Sequence, residues 1–246
     1  MNHAKIITIS AFLGHASATV GQMCCGDNFC CSLNSSSAME CWGGNTDWTP
    51  PSGSFKAISC AGKAGVAINS DDTIGACYGS AGYGSEGCTT GEAVIDASTS
   101  FWGGCAIKSS DDTIMCWGPT EVYGVNSVTT LAGCSSNNCD AVNPTITPPS
   151  GTFKSISCSG KRAGHFCCAT GKDDDLVECF GAGSTDYTPP ASSYPTVAIH
   201  QLSCGTDFCC GLTPTTGNLY CFGNLEQAGY DGSFEFMNWS SWFGGG

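Results

Sequence analysis

Polar and apolar residues alternate along short stretches of this chain. Phe55-Lys56-Ala57-Ile58-Ser59-Cys60 alternates and carries aromatic and β-branched residues, the signature of a half-buried strand. Cys105-Ala106-Ile107 leads through Ser110-Asp111-Asp112 into Thr113-Ile114-Met115-Cys116-Trp117. That order predicts a hairpin around an Asx-type turn, because Asp accepts backbone hydrogen bonds within a tight turn. Gly-rich loops bound these stretches, and no window of helical length carries a helical period. The pattern predicts an all-β chain.

The pattern also repeats. Ser52-Gly-Ser-Phe-Lys-Ala-Ile-Ser-Cys60 recurs as Ser150-Gly-Thr-Phe-Lys-Ser-Ile-Ser-Cys158, both after Thr-Pro-Pro. A looser copy runs from Thr188-Pro-Pro to Ile199-His-Gln-Leu-Ser-Cys204. Cys-aromatic-Gly occurs at Cys41-Trp42-Gly43, Cys77-Tyr78-Gly79, Cys116-Trp117-Gly118, Cys179-Phe180-Gly181 and Cys221-Phe222-Gly223. The cysteines of these triplets stand 36, 39, 63 and 42 residues apart, and the long gap holds one degenerate unit, Val128 to Cys134. Acidic turns lie between the two elements at Asp71-Asp72, Asp111-Asp112 and Asp173-Asp174-Asp175. Units of this length with three or four short strands predict propeller blades. A lone small sheet cannot bury both of its faces, and stacking blades around an axis buries them against each other.

Composition adds a compartment. Twenty of 246 residues are Cys, close to the density of disulfide scaffolds. An even number spread along the chain, without Cys-x-x-Cys pairs or Cys/His clusters, predicts disulfides in an oxidising compartment rather than metal sites. Two spacing classes suggest the pairs. Cys105/Cys116, Cys168/Cys179 and Cys210/Cys221 are 11 apart and Cys31/Cys41 is 10 apart, each flanking a hairpin turn. Cys25/Cys30, Cys134/Cys139 and Cys204/Cys209 are 5 apart, with Cys158/Cys167 as a 9-residue variant. Adjacent strand residues face opposite sides, so each vicinal pair serves one bond of each class. Cys24, Cys60, Cys77 and Cys88 remain, with Cys60–Cys77 as one option. Cys24 and Cys88 are candidates for ring closure or a covalent neighbour.

At these residues the chain resembles the regulator of chromosome condensation repeat superfamily. The likeness lies in the Ile-Ser-Cys strand, Gly164-His165, Cys105-Ala106, the acidic turn and Cys-Trp-Gly. The short, cysteine-rich units are similar to the propeller-type β-lactamase inhibitors. The resemblance implies a β-propeller of about six or seven short three- to four-stranded blades over residues 21–232. Six units start from Val20, and residues 6–20 would make a seventh. Residues 1–20 read either as a signal peptide or as an N-terminal partial blade. Residues 233–246 form an aromatic, Gly-ended segment.

Charge excludes more than it assigns. Eight Lys+Arg against 21 Asp+Glu give −13, which leaves no basic face for nucleic acid. The same charge and the disulfides speak against the chromatin and nucleotide-exchange roles that the resemblance would suggest. No apolar run reaches the length of a membrane span. No catalytic motif occurs, and no cofactor or metal is expected. His165 beside Cys167-Cys168 is the one nucleophile candidate, and bonded cysteines would disarm it. Asn34 and Asn238 lie in glycosylation sequons. Trp239, Trp242 and Phe243 are candidate contacts in the tail, whereas Trp42, Tyr78, Trp117, Phe180 and Phe222 share one repeat position and are expected in the core. The expectation is a non-enzymatic secreted protein, a stapled, glycosylated propeller in a surface coat, appendage or filament. Its partners would be other extracellular proteins, copies of itself in an assembly, or glycans. The alternative is a secreted protein- or glycan-binding module, an enzyme inhibitor or lectin-like.

Overall fold

Each hairpin of the repeat acquires a third strand and becomes a meander. The computed structural model describes residues 22–44, 48–79, 87–101, 103–118, 148–161, 164–183, 195–205 and 208–223. These residues form five three-stranded antiparallel sheets and no helix. The first holds β1 (Met23–Cys25), β2 (Phe29–Leu33) and β3 (Met39–Gly43), and the second β4 (Phe55–Ala61), β5 (Ala64–Asn69) and β6 (Ile74–Gly79). The third holds β7 (Val94–Thr99), β8 (Gly104–Lys108) and β9 (Ile114–Trp117). The fourth holds β10 (Phe153–Lys161), β11 (Gly164–Gly171) and β12 (Val177–Gly183), and the fifth β13 (Gln201–Cys204), β14 (Phe208–Leu212) and β15 (Leu219–Gly223). Strand order follows the chain in every sheet, and the first strands pack in series, β1 on β4, β4 on β7, β7 on β10 and β10 on β13. The chain is therefore an all-β, disulfide-rich propeller, and its described blades have three strands each.

The core lies between sheets rather than inside one. Leu33 and Met39 of the first blade meet Phe55, Ile58 and Tyr78 of the second. Val66, Ile68 and Ile74 meet Val94, Ala106 and Trp117 of the third. Ile107 and Ile114 meet Phe153, Ile156 and Phe180 of the fourth, and Phe166 and Val177 meet Ile199 and Phe222 of the fifth. Because the third and fourth sheets pack directly on each other, no further blade separates them. The degenerate unit, with Cys134 and Cys139, lies outside the described residues, as do residues 1–21 and 224–246.

The acidic turns fasten these joints. Ser37, Asp72, Asp112 and Asp175 each take a left-handed backbone, and Gly217 stands at the same place in the fifth blade. Asp tolerates that conformation better than most residues. In this geometry the turn carbonyl points at the next blade. Ser37 O accepts from Phe55 N at 2.8 Å, Asp72 O from Val94 N at 2.8 Å, Asp112 O from Phe153 N at 2.9 Å and Asp175 O from Ile199 N at 2.8 Å. The preceding residue caps the turn: Asp71 Oδ1 accepts from Thr73 N and Oγ1, and Asp111 Oδ1 from Thr113 N and Oγ1. Lysines pair with the carboxylates, Lys56 with Asp72, Lys154 with Asp175, Lys172 with Asp112 and Lys108 with Asp111.

A second set of bonds crosses the joints nearer the first strands. The Ser of the Ile-Ser-Cys motif, or Ser98 of Asp96-Ala97-Ser98-Thr99 at the same place, accepts a backbone N–H from the first strand of the next blade. Ser59 Oγ accepts from Thr99 N at 3.3 Å, Ser98 from Cys158 N at 2.9 Å and Ser157 from Cys204 N at 2.9 Å. In the first blade the register puts Cys25 opposite Cys30, as Cys158 is opposite Cys167. Cys24 therefore occupies the serine position. It forms a disulfide with Cys60 of the second blade, a covalent version of the joint the other blades make with a serine. Cys60 is available because Gly65 stands opposite it, and a Cβ there would run into the Tyr78 ring.

All eighteen described cysteines are bonded. Cys31–Cys41, Cys105–Cys116, Cys168–Cys179 and Cys210–Cys221 tie the second and third strands of their sheets. Cys25–Cys30, Cys158–Cys167 and Cys204–Cys209 tie the first and second. The option Cys60–Cys77 is corrected: Cys77 bonds Cys88 and Cys60 bonds Cys24. Val66 rather than Cys60 shares a row with Cys77. Neither Cys24 nor Cys88 is left for ring closure or another chain.

Breaking the Cys24–Cys60 staple tests this equivalence. The loop spans 36 residues, so its loss costs about 4 kcal/mol by chain entropy. Cys24→Ser with Cys60→Thr rebuilds the Ser59–Thr99 arrangement. It should recover about 1 kcal/mol in denaturant unfolding relative to Cys24→Ala with Cys60→Thr. Equal midpoints for the two variants would refute the shared position.

Candidate functional site

The sulfur chemistry of the described residues is closed. Cys167 and Cys168, the neighbours of His165, are bonded to Cys158 and Cys179. The backbone of His165 lies on β11 opposite Gly160 and Ala182. Disulfides also abut across joints. Cys167 Sγ lies 3.5 Å from Cys105 Sγ, and Cys209 Sγ lies 3.4 Å from Cys168 Sγ. These groupings bring three sulfurs together, and the disulfides leave no thiolate among them to act as ligand or nucleophile.

The carboxylates serve the joints. Hydrogen bonds from Thr113 and Lys108 hold Asp111 down to about 2. Asp96 is different, because it is buried on β7 between the third and fourth blades. Its Oδ1 accepts from Ala97 N at 2.9 Å and its Oδ2 from Ile156 N at 2.8 Å. Gln22 does the same at the first joint, where Oε1 accepts from Ile58 N at 3.1 Å. Burial pushes Asp96 up to about 7, against the pull of both backbone donors and of Lys56. Sequence reading passed over Gln22 and Asp96. The usable signal was one shared position, on β7 and just ahead of β1, two residues before Ser98 and Cys24.

Asn34 caps the first hairpin. Its Oδ1 accepts from Ser36 N at 2.9 Å and Ser36 Oγ at 2.7 Å, and its Nδ2 donates to Glu40 at 2.8 Å. Asn238, Trp239, Trp242 and Phe243 lie outside the described residues.

The shared aromatic position divides. Tyr78, Trp117, Phe180 and Phe222 are at most 9% exposed, each packed on the blade before its own. Burial raises the Tyr78 hydroxyl above its ordinary range. Trp42 is 49% exposed, which corrects the expectation of a core residue. Its side of the first blade points away from the second blade, and no described blade covers it. Cys25–Cys30 and Met23, 38% exposed, share that side. Trp48, which breaks the repeat, packs in the first joint with its ring 5.4 Å from Phe29 and 5.3 Å from Tyr78.

Residues 199–225 match the model of the Regulator of chromosome condensation (RCC1) repeat. They cover the whole fifth sheet. The chain is an RCC1-like repeat propeller. No curated protein matches it by sequence. Among solved structures it resembles the CRINKLY WD40 ectodomain of the Arabidopsis thaliana receptor kinase ACR4, with a TM-score of 0.56 at 18% identity over 81% of this chain and 62% of that one. The entire ectodomain of the Physcomitrella patens receptor kinase CR4 gives 0.59 at 21%, over 82% and 49%. Yeast RCC1 (Prp20), in its structure with Kap60, gives 0.55 at 10%, over 83% and 56%. The chain thus spans roughly half to three-fifths of the solved chains it matches. In this RCC1-like propeller the repeat residues build joints, and the side carrying Trp42 is an apolar surface that no described blade covers.

Asp96 gives the RCC1-like joint a pH signature. Its folded value of about 7 lies above the ordinary carboxylate value of about 4. The folded state then holds a proton that the unfolded chain has released, so this group lowers stability as pH rises between those values. Thermal unfolding of wild type should lose stability across that window relative to Asp96→Asn, which carries no proton to lose. Parallel profiles would overturn the assignment.

Proposed function

We propose that this chain is a non-enzymatic extracellular structural or interaction protein, a disulfide-stapled propeller that works in a surface coat, appendage or filament by protein contact. The observation that carries the reading is the pairing of all eighteen described cysteines. Bonds of this kind persist in oxidising compartments and are rare in a reducing cytosol. The chain is long enough to bury a core without them, so they act as reinforcement. A glycan on Asn34 fits the same compartment, because the residue sits in an exposed hairpin turn. Charge supports the reading too: at −13, the chain has no basic face for chromatin.

A second reading, a secreted binding module, is favoured by the two receptor-kinase ectodomains among its structural neighbours. Both readings place the work on surfaces rather than in a catalytic centre. Among the described residues no helix is long and apolar enough to cross a membrane.

Fractionation of the source organism after thiol blocking tests the proposal. The chain should be recovered from the surface or the medium, unlabelled by alkylating reagent, in particles heavier than 25.2 kDa. A cytosolic chain with alkylated cysteines would sink it. A glycan array and an enzyme-inhibition panel separate the second reading, which needs a hit in one of them.

A further inference from the structure

Every joint has two unlike halves. The donating half comes from the earlier blade, and is so named although its serine and turn carbonyl accept the joint's hydrogen bonds. It presents the serine position, a row that is a disulfide at three joints and Val66 with Cys77 at the second, and a further row, Leu33/Met39, Ile68/Ile74, Ile107/Ile114 or Thr170/Val177. The accepting half comes from the later blade and presents the shared aromatic, the pair of residues beside it, and one apolar residue. At the third joint the donating half is Ser98, Cys105–Cys116, Ile107 and Ile114, and the accepting half is Cys158–Cys167, Phe180 and Ile156.

Two halves remain open among the described blades. The first blade presents an accepting half, Cys25–Cys30, Trp42 and Met23, with Cys25, Trp42 and Met23 all exposed. The fifth blade presents a donating half, Ser203, Cys210–Cys221, Leu212 and Leu219, all of it only partly buried. The matching residues of the third blade, Cys105, Ile107 and Ile114, are buried. Among the described blades neither of these halves is covered by the other.

We propose that the first blade of one copy seats on the fifth blade of another. What covers an accepting half is shown four times in this molecule, and it is always a donating half. The inference deepens the reading of an assembling extracellular protein and rests on it. A contact of unlike halves is heterologous, so it propagates head to tail and ends only if a ring closes. The seat is small. A three-stranded face of roughly 15 by 17 Å buries on the order of 500 Å² from both partners together, below the standard size of specific interfaces, so the contact is a weak one. Assembly therefore depends on concentration.

Two measurements test it on the purified 246-residue chain. In sedimentation velocity the mass of wild type should climb above 25.2 kDa as concentration rises. Trp42→Asp, which places a charge on the exposed seat, should stay monomeric. A wild type that stays monomeric overturns the inference. The second measurement copies the Cys24–Cys60 joint between molecules. Cys30→Gly frees the thiol of Cys25, as Gly65 leaves Cys60 free of an in-blade partner, and Ser203→Cys supplies the thiol that faces it. In a buffer of oxidised glutathione, the two thiols form one disulfide and release two protons, while glutathione disulfide is reduced to two thiols. A ladder on a non-reducing gel, with positions 203 and 25 linked in the dimer band, supports the seat. The same link inside the monomer band shows closure within one chain and overturns it, as does no link at all. Monomers recovered from the cell surface would sink this inference alone, whereas reduced cytosolic chain would sink the reading beneath it.

Discussion

The constraint behind this molecule is that a three-stranded sheet of strands three to nine residues long cannot hide either of its faces. Everything else follows from the joint that solves it. The apolar clusters lie between sheets. The polar groups that stay at the joint are used up within it. Turn carbonyls accept the leading N–H of the next blade, and Ser59, Ser98 and Ser157 accept an N–H further along. Buried backbone donors left unpaired would cost about 1–3 kcal/mol each, so these serines and Asp96 are part of the packing, not ornaments on it.

The cysteines divide by the same logic. Most stiffen a single blade, where a hairpin pair is close enough for a disulfide. Cys24–Cys60 works between blades and replaces a hydrogen bond with a covalent one. Cys77–Cys88 ties β6 to the link that follows. Across two joints, one blade's disulfide packs on the next blade's disulfide. By register, Cys105 and Cys168 stand where Val66 stands in the second blade.

Much of this was legible in the chain because repetition turns spacing into register. Cysteines 5 and 11 apart recur with the hairpin, and a hairpin has one register, so the in-blade bonds followed from counting. Cys24 was hidden because it stands beside Cys25, and the pair looked like Cys30-Cys31. Only the register shows that Cys25 matches Cys60 and Cys24 matches Ser59. Trp42 misled for a related reason. Repeat position predicts burial only where another blade packs on that face, and no described blade packs on the face of Trp42. Asp96 had one faint signal, its place two residues before Ser98 as Gln22 stands two before Cys24, and nothing in the chain marks the two N–H groups that meet it.

The single covalent crossing has a mechanical side. Among the described residues, Cys24–Cys60 is the one disulfide that spans two blades. Under tension between its ends, the later joints among the described blades part by breaking hydrogen bonds, the Lys172–Asp112 ion pair and apolar contacts. The first two blades cannot part at all, and the chain between their cysteines adds nothing to the extended length. Load would therefore peel blades from the later end and leave a paired remnant at the other, a tether with one blunt end that keeps its shape.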